Sequence, residues 1–145
     1  MCCPLSRRRR TLSVVALLLM LGIAGCGGKL YPVHGTVTLE DGTPLKKGMV
    51  IFEGTIEGKT VMARGALQAD GSYQLSTNKP EDGVPPGRYR VLINPMDLSE
   101  VPDEKKNLPF DIKYLKFDTS GLEYEVKAGA NEIPIQLTRS KKGRR

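Results

Sequence analysis

Tryptophan is absent from this 145-residue chain, and histidine occurs once, as His34. A single imidazole excludes histidine-rich zinc sites and histidine-based acid–base pairs. The serines, lacking a second histidine or a lysine dyad, have no evident route to activation as nucleophiles. Aromatic residues make up only 6% of the chain, leaving few rings to stack on sugars. Cys2, Cys3 and Cys26 are the only cysteines, so no pair remains beyond residue 26 to form a disulfide, and the folded part must rest on its hydrophobic core. No apolar run reaches the roughly 20 residues that span a bilayer comfortably as a helix.

What the N-terminus does contain is organised. Arg7, Arg8, Arg9 and Arg10 precede an apolar stretch from Leu12 to Ile23, and Ile23-Ala24-Gly25-Cys26 follows directly. Basic residues hold a leader on the cytoplasmic side, and a short apolar region then engages the export machinery. Small residues at Ala24 and Gly25 let an extended backbone enter a peptidase cleft, and the Cys26 thiol can accept a diacylglyceryl group. The arrangement resembles the lipobox of bacterial lipoproteins, which implies cleavage between Gly25 and Cys26 and lipidation of Cys26. An ordinary secretory signal with an incidental cysteine is the alternative, and Arg9-Arg10-Thr11-Leu12 faintly resembles a twin-arginine signal. Two or three acyl chains on Cys26 would make a stable anchor, whereas one alone is marginal.

The chain divides accordingly into a signal peptide (1–25), a lipidated tether (26–31), a single domain (32–138) and a basic tail (139–145). The 120 residues left after cleavage suffice for one core. The formal charge of +6 comes from 22 basic and 16 acidic residues. Four of the basic residues are in the signal and five, Arg139, Lys141, Lys142, Arg144 and Arg145, are in the tail. The tether and domain together thus hold 13 basic against 16 acidic residues, a mildly acidic surface that does not suit nucleic acid. The tail reads as a solubilising end or as a cation for anionic headgroups or wall polymers.

Patterning within the domain is that of strands. Val33, Gly35, Val37 and Leu39 alternate with His34, Thr36 and Thr38. Met49-Val50-Ile51-Phe52 is apolar enough to be covered on both faces. Thr60–Gln68 and Ser72–Ser76 are expected to pair as a hairpin across Ala69-Asp70-Gly71. Arg88–Ile93 places Tyr89, Val91 and Ile93 on one face, and Pro95 ends it. Pro95–Ser120 is irregular, and a connection of that length is usually functional or mobile. Glu123–Val126 and Glu132–Leu137 close the pattern around Lys127–Asn131, with Pro134 placing the last strand at a sheet edge or turning its N–H side to solvent. Seven short strands with frequent turn signals predict an all-β, seven-stranded antiparallel β-sandwich. The expected core is Val37, Leu39, Val50, Phe52, Val61, Leu75, Tyr89, Val91, Ile93, Val126, Ile133 and Leu137.

Val33-His34-Gly35-Thr36-Val37, Asp41-Gly42-Thr43-Pro44-Leu45, Val50-Ile51-Phe52, Ala69-Asp70-Gly71-Ser72-Tyr73 and Pro86-Gly87-Arg88-Tyr89-Arg90-Val91, in this order, resemble the carboxypeptidase-regulatory-like, transthyretin-like domain. Following a lipobox, they are similar to small planctomycete envelope lipoproteins. Tyr114, Thr119-Ser120-Gly121-Leu122, Val126 and Gly129-Ala130-Asn131 extend the similarity. The resemblance implies a Greek-key sandwich. It does not imply the related hydroxyisourate hydrolase activity, because Leu137-Thr138-Arg139-Ser140 stands where those enzymes carry Tyr-Arg-Gly-Ser and their histidines are missing.

The physical roles of these motifs are architectural. Gly42 and Gly71 suit positive φ in turns, Gly35 a close approach, and Tyr89 a buried ring whose hydroxyl reaches a backbone acceptor. His34 is expected on the solvent face of its strand. Asp97, Glu100, Asp103 and Glu104 match no recognised calcium loop. No catalytic residue, metal site or cofactor is therefore expected. The leading expectation is an envelope lipoprotein, membrane-anchored on the extracytoplasmic side, that acts as a non-enzymatic binding or structural module for a protein partner. The alternative is a glycan-binding accessory lipoprotein using Tyr31, Tyr114 and Tyr124.

Overall fold

The computed structural model describes residues 28–95 and 108–141. Gly25 and Cys26, the acidic cluster Asp97 to Glu104, and Lys142, Arg144 and Arg145 lie outside the described residues. The described chain is a β-sandwich of two four-stranded sheets. Its strands are β1 (Val33–Leu39), β2 (Met49–Ile56), β3 (Lys59–Ala66), β4 (Ser72–Gln74), β5 (Gly87–Asn94), β6 (Leu122–Val126), β7 (Asn131–Glu132) and β8 (Ile135–Leu137). A 3-10 turn, Ile112–Leu115, and a one-turn helix α1, Phe117–Ser120, precede β6.

One sheet has the order β3-β2-β5-β6, antiparallel throughout. Glu57 and Gly58, both at positive φ, make the tight β2–β3 turn, which matches the twist of the strands it joins. In the other sheet β1 is central, with β4 antiparallel on one side and β7 and β8 parallel on the other. The expected all-antiparallel, seven-stranded pairing is corrected here. Eight strands form, and the last expected strand is split at Ile133-Pro134. The ladder with β1 opens there and resumes at Val37↔Ile135 in the same register as Val33↔Asn131. Asn131 and Ile133 are the residues that donate toward β1, so the N–H that Pro134 lacks would have faced the open side of the strand.

The expected hairpin across Ala69-Asp70-Gly71 is also corrected. The turn before β4 does form, with the Gly71 N–H donating to the Gln68 carbonyl at 2.9 Å and Gly71 at φ 81°. The chain then crosses to the other sheet, and β4 pairs with β1. Only the Arg64–Ser76 bridge returns to β3. A Cβ at Gly65 would lie 2.5 Å from the Gln74 carbonyl oxygen, so its absence permits the crossing. Likewise β6 pairs with β5 while β7 joins β1. The intervening loop is closed by a side chain: the Asn131 carboxamide accepts from the Lys127 N–H at 2.9 Å and donates to the Lys127 and Gly129 carbonyls.

Eleven of the twelve expected core residues are buried, and Val61 is only half-buried. Met49 and Ile51 are half-buried too, so β2 is covered more fully on one face than on both. Val33, Leu45, Ala63, Tyr73, Val84, Phe110, Tyr114 and Ile135 join the core. The Phe52 ring sits among Tyr73, Tyr89 and Tyr124, with centroids 6.1–6.5 Å away, the spacing at which aromatic pairs attract. Residues 108–120, expected to be irregular, form a packed arm. Phe110 bridges to Arg139, the Asp111 N–H donates to the Thr138 carbonyl at 3.0 Å, and the Tyr114 hydroxyl lies 3.2 Å from Thr138 Oγ1.

The tightest contact lies where the ladder opens at Pro134. A Cβ at Gly35 would press on the Ile133 carbonyl oxygen, lie 2.7 Å from its carbon and 3.0 Å from the Tyr73 hydroxyl. In that space the Tyr73 hydroxyl donates to the Ile133 carbonyl at 2.7 Å. Tyr73→Phe strands a buried acceptor and should cost about 1–3 kcal/mol. Gly35→Ala forces two backbones apart and should cost about 3 kcal/mol. Denaturant unfolding of each variant checks both, and a Gly35→Ala protein of unchanged midpoint would disprove the close approach.

Candidate functional site

Three surface features concentrate chemistry. The first is an ionic face on β5 and β6. Strand alternation sends Tyr89 and Tyr124 inward and Arg88, Arg90, Glu123 and Glu125 outward, and the register sets Arg88 opposite Glu125 and Arg90 opposite Glu123. These residues line a shallow hollow of 430 Å³. The Arg90 guanidinium donates to Glu53 Oε1 at 2.7 Å and Asp118 Oδ1 at 2.8 Å, and lies 5.7 Å from the centre of the Phe117 ring. Its hydrogen bond to Glu53 holds its pKa above the ordinary arginine value. A guanidinium held in this way fastens β5 to β2 and α1. The sequence signal was there, in the complementary spacing of Arg-x-Arg and Glu-x-Glu on two strands, but only the register shows that they face each other.

The second is a hollow of 480 Å³ lined by Leu45, Pro95, Leu108, Pro109 and Phe110, with Lys46 and Lys47 also on its wall. Alternation could not reveal it, because its lining comes from connections between strands. The third is the turn after β1, where the Arg139 side chain donates through Nε to Asp41 Oδ2 at 3.1 Å and pairs with it through Nη2 as well. The Thr43 N–H donates to Asp41 Oδ1 at 3.1 Å.

At the opposite end, the loop from Ser76 to Gly83 is built on Asp82. Its carboxylate accepts from the Thr77, Asn78 and Lys79 N–H groups at 2.8–2.9 Å. Burial pushes the Asp82 carboxyl up, but these donors outweigh it and hold it below its ordinary value. That is a structural use of a carboxylate.

The residues singled out from sequence are dispersed. His34 is exposed on β1, opposite Gln74 and Glu132. Tyr31 is half-buried and pairs its backbone with Val84. Tyr114 is buried, and Tyr124 stacks on Phe52. Among the described residues, no three His, Cys, Asp or Glu side chains converge as a metal site would require. Every buried side-chain polar atom among them is hydrogen-bonded.

The Arg139 guanidinium and the Thr43 N–H hold the Asp41 carboxyl down at about 2. A depressed carboxyl pKa lends stability that is complete above the ordinary value and lost as pH falls through the folded one. Titration of the Asp41 carboxyl by NMR should therefore show a midpoint near about 2, moving up toward the ordinary range in Arg139→Ala. An unchanged midpoint in that variant would mean the pair does not form.

No family model matches the chain, and no curated protein does. Among solved structures it is similar to the Bacillus anthracis TIE protein, at 14% identity with a TM-score of 0.42, over 77% of this chain and 17% of that one. The chain spans about a sixth of that protein's length, and a likeness of this degree carries no argument about function.

Proposed function

We propose that this chain is an envelope lipoprotein: a β-sandwich of the carboxypeptidase-regulatory-like, transthyretin-like kind, held to a membrane by lipid on Cys26. It serves there as a non-enzymatic binding or structural module for a protein partner. The observation that carries the reading is Ile23-Ala24-Gly25-Cys26 after a basic and an apolar run. Cys26 lies five residues before Tyr31, whose N–H and carbonyl bond to Val84 at 2.9 and 2.8 Å. Five residue steps span at most about 17 Å, so a lipid on Cys26 keeps the domain close to its bilayer.

The motifs behind the family resemblance are used in ways consistent with it. Gly42 and Gly71 take φ near 80° in turns, and the Tyr89 hydroxyl donates to the Pro85 carbonyl at 2.8 Å, with burial pushing its pKa up to about 12. The carboxylates of Asp41, Asp70 and Asp82 accept hydrogen bonds that shape turns. A binding role therefore falls to the surface as a whole, above all to the ionic face of β5 and β6. The glycan-binding alternative loses support, because the rings of Tyr114 and Tyr124 pack inward.

Cys26→Ser should abolish metabolic labelling with fatty acid, and persistent labelling of that variant would refute the lipoprotein reading. Cross-linking of the lipidated protein in native envelopes should yield a discrete protein adduct. Retention on purified wall material with no such adduct would favour the glycan-binding reading instead.

A further inference from the structure

The outermost strand of an open sheet presents N–H and carbonyl groups with no neighbour, and folded proteins cover or shorten such edges. In this sandwich β3 is bridged at Arg64 by Ser76, and the chain just after β8 is bridged at Arg139 by Phe110. The strands β4 and β7 are only three and two residues long. No such cover is found on β6, which ends the order β3-β2-β5-β6. Among the described residues, no backbone group outside β5 bonds to Leu122–Val126. The Leu122 N–H donates to Ser120 Oγ at 3.3 Å; beyond it, every second residue of β6 turns its N–H and carbonyl away from β5.

The side chains along this edge leave two surfaces incomplete. On the core side Leu122 and Tyr124 are only half-buried, with no strand beyond β6 to cover them. On the outer side Glu123 and Glu125 are exposed and, among the described residues, form no ion pair. Arg90 and Arg88 stand opposite them on β5, but the Arg90 guanidinium is turned to Glu53 and Asp118. The edge therefore offers a backbone ladder, an apolar strip and two carboxylates about 7 Å apart along the strand.

A second copy of β6 would fit this edge poorly. Any antiparallel register that keeps outward residues outward sets a glutamate of one copy against a glutamate of the other, and like charges directly opposite are destabilising. The neighbour that the glutamates already have is β5, basic at Arg88 and Arg90 with Tyr89 turned inward between them.

We infer, resting on the binding-module reading above, that β6 is a docking edge for an extended basic segment of a partner protein, one with Lys or Arg at alternate positions and apolar residues between. The segment adds a strand to the β3-β2-β5-β6 sheet, main-chain bonds supplying affinity and alternate side chains supplying specificity. Its cations meet Glu123 and Glu125, and its apolar residues close over Leu122 and Tyr124. Because those charges meet at an exposed rim, salt weakens the complex.

The probe is a short peptide alternating lysine with valine, offered to the full-length protein purified from envelopes in detergent. Hydrogen exchange read by mass spectrometry should slow across Leu122–Val126 when the peptide binds. Combining Glu123→Gln with Glu125→Gln should weaken binding roughly fivefold and leave the unfolding midpoint unchanged. The same peptide N-methylated at every residue keeps its charges but cannot complete the ladder, and should not bind. Equal binding of the methylated peptide, protection confined to another segment, or no binding of either peptide would overturn the inference. Protection of Leu122–Val126 that rises with protein concentration in the absence of peptide would assign the edge to a second copy and overturn it too. In native envelopes, a photo-cross-linking residue in place of Lys127, exposed just beyond β6, should capture a partner whose attached peptide carries the basic alternation. If general cross-linking yields a protein adduct that position 127 does not capture, the docking edge is refuted and the binding-module reading stands; if neither yields one, both fall.

Discussion

One buried hydrogen bond, from the Tyr73 hydroxyl to the Ile133 carbonyl, joins the two flanks of the β1 sheet. Tyr73 comes from β4 on one side of β1, and Ile133 from the break between β7 and β8 on the other. They meet over Gly35, where any side chain would occupy the space. Two residue choices make this possible together: a glycine that vacates the core face of β1 and a tyrosine long enough to reach the carbonyl. Desolvation raises the Tyr73 pKa, so the phenol stays protonated and remains a donor. An unmet carbonyl at that depth would cost more than the bond itself contributes.

Much of the remaining architecture follows from where β7 and β8 are held. Their parallel alignment with β1 leaves one flank of the sandwich to be closed by residues 108–120, which fill it with Phe110 and Tyr114, rings 6.4 Å apart. The arm lies against the chain just after β8 through Thr138 and Arg139, and then delivers α1 beneath Arg90. The ionic face of β5 and β6 and the far-pole clamp of Asp41 on Arg139 therefore belong to one continuous framework. Exposed ion pairs add little stability singly. Their value here is positional, in holding α1 and the segment after β8 where they are.

A domain whose polar groups are largely engaged in its own turns and clamps is suited to presenting a surface at a set distance from an anchor. The proposed lipid on Cys26 would make use of that geometry at the pole where Tyr31 enters, with Arg139 clamped to Asp41 at the other. Between them, the opposed Arg88, Arg90, Glu123 and Glu125 offer a patterned face of both charge signs. In the proposed binding role, such a face would discriminate by charge register more than by net charge.

The sequence by itself determined the β class, most of the strand positions, eleven of the twelve expected core residues, the Asp-Gly turns and the Tyr89 anchor. These depend on short-range rules: alternation with a period of two, positive φ at glycine, and a phenol too polar to bury unpaired. Tertiary structure alone decided that β4 leaves β3 for β1, that β7 and β8 run parallel to β1 with a gap at Pro134, and that Phe110 and Tyr114 close a flank. Pairing between strands distant in sequence is selected by how two sheets fill one core, and local periodicity carries no record of it. The separation of Tyr31 from Arg139 belongs to the same class, since it follows from the direction of β8.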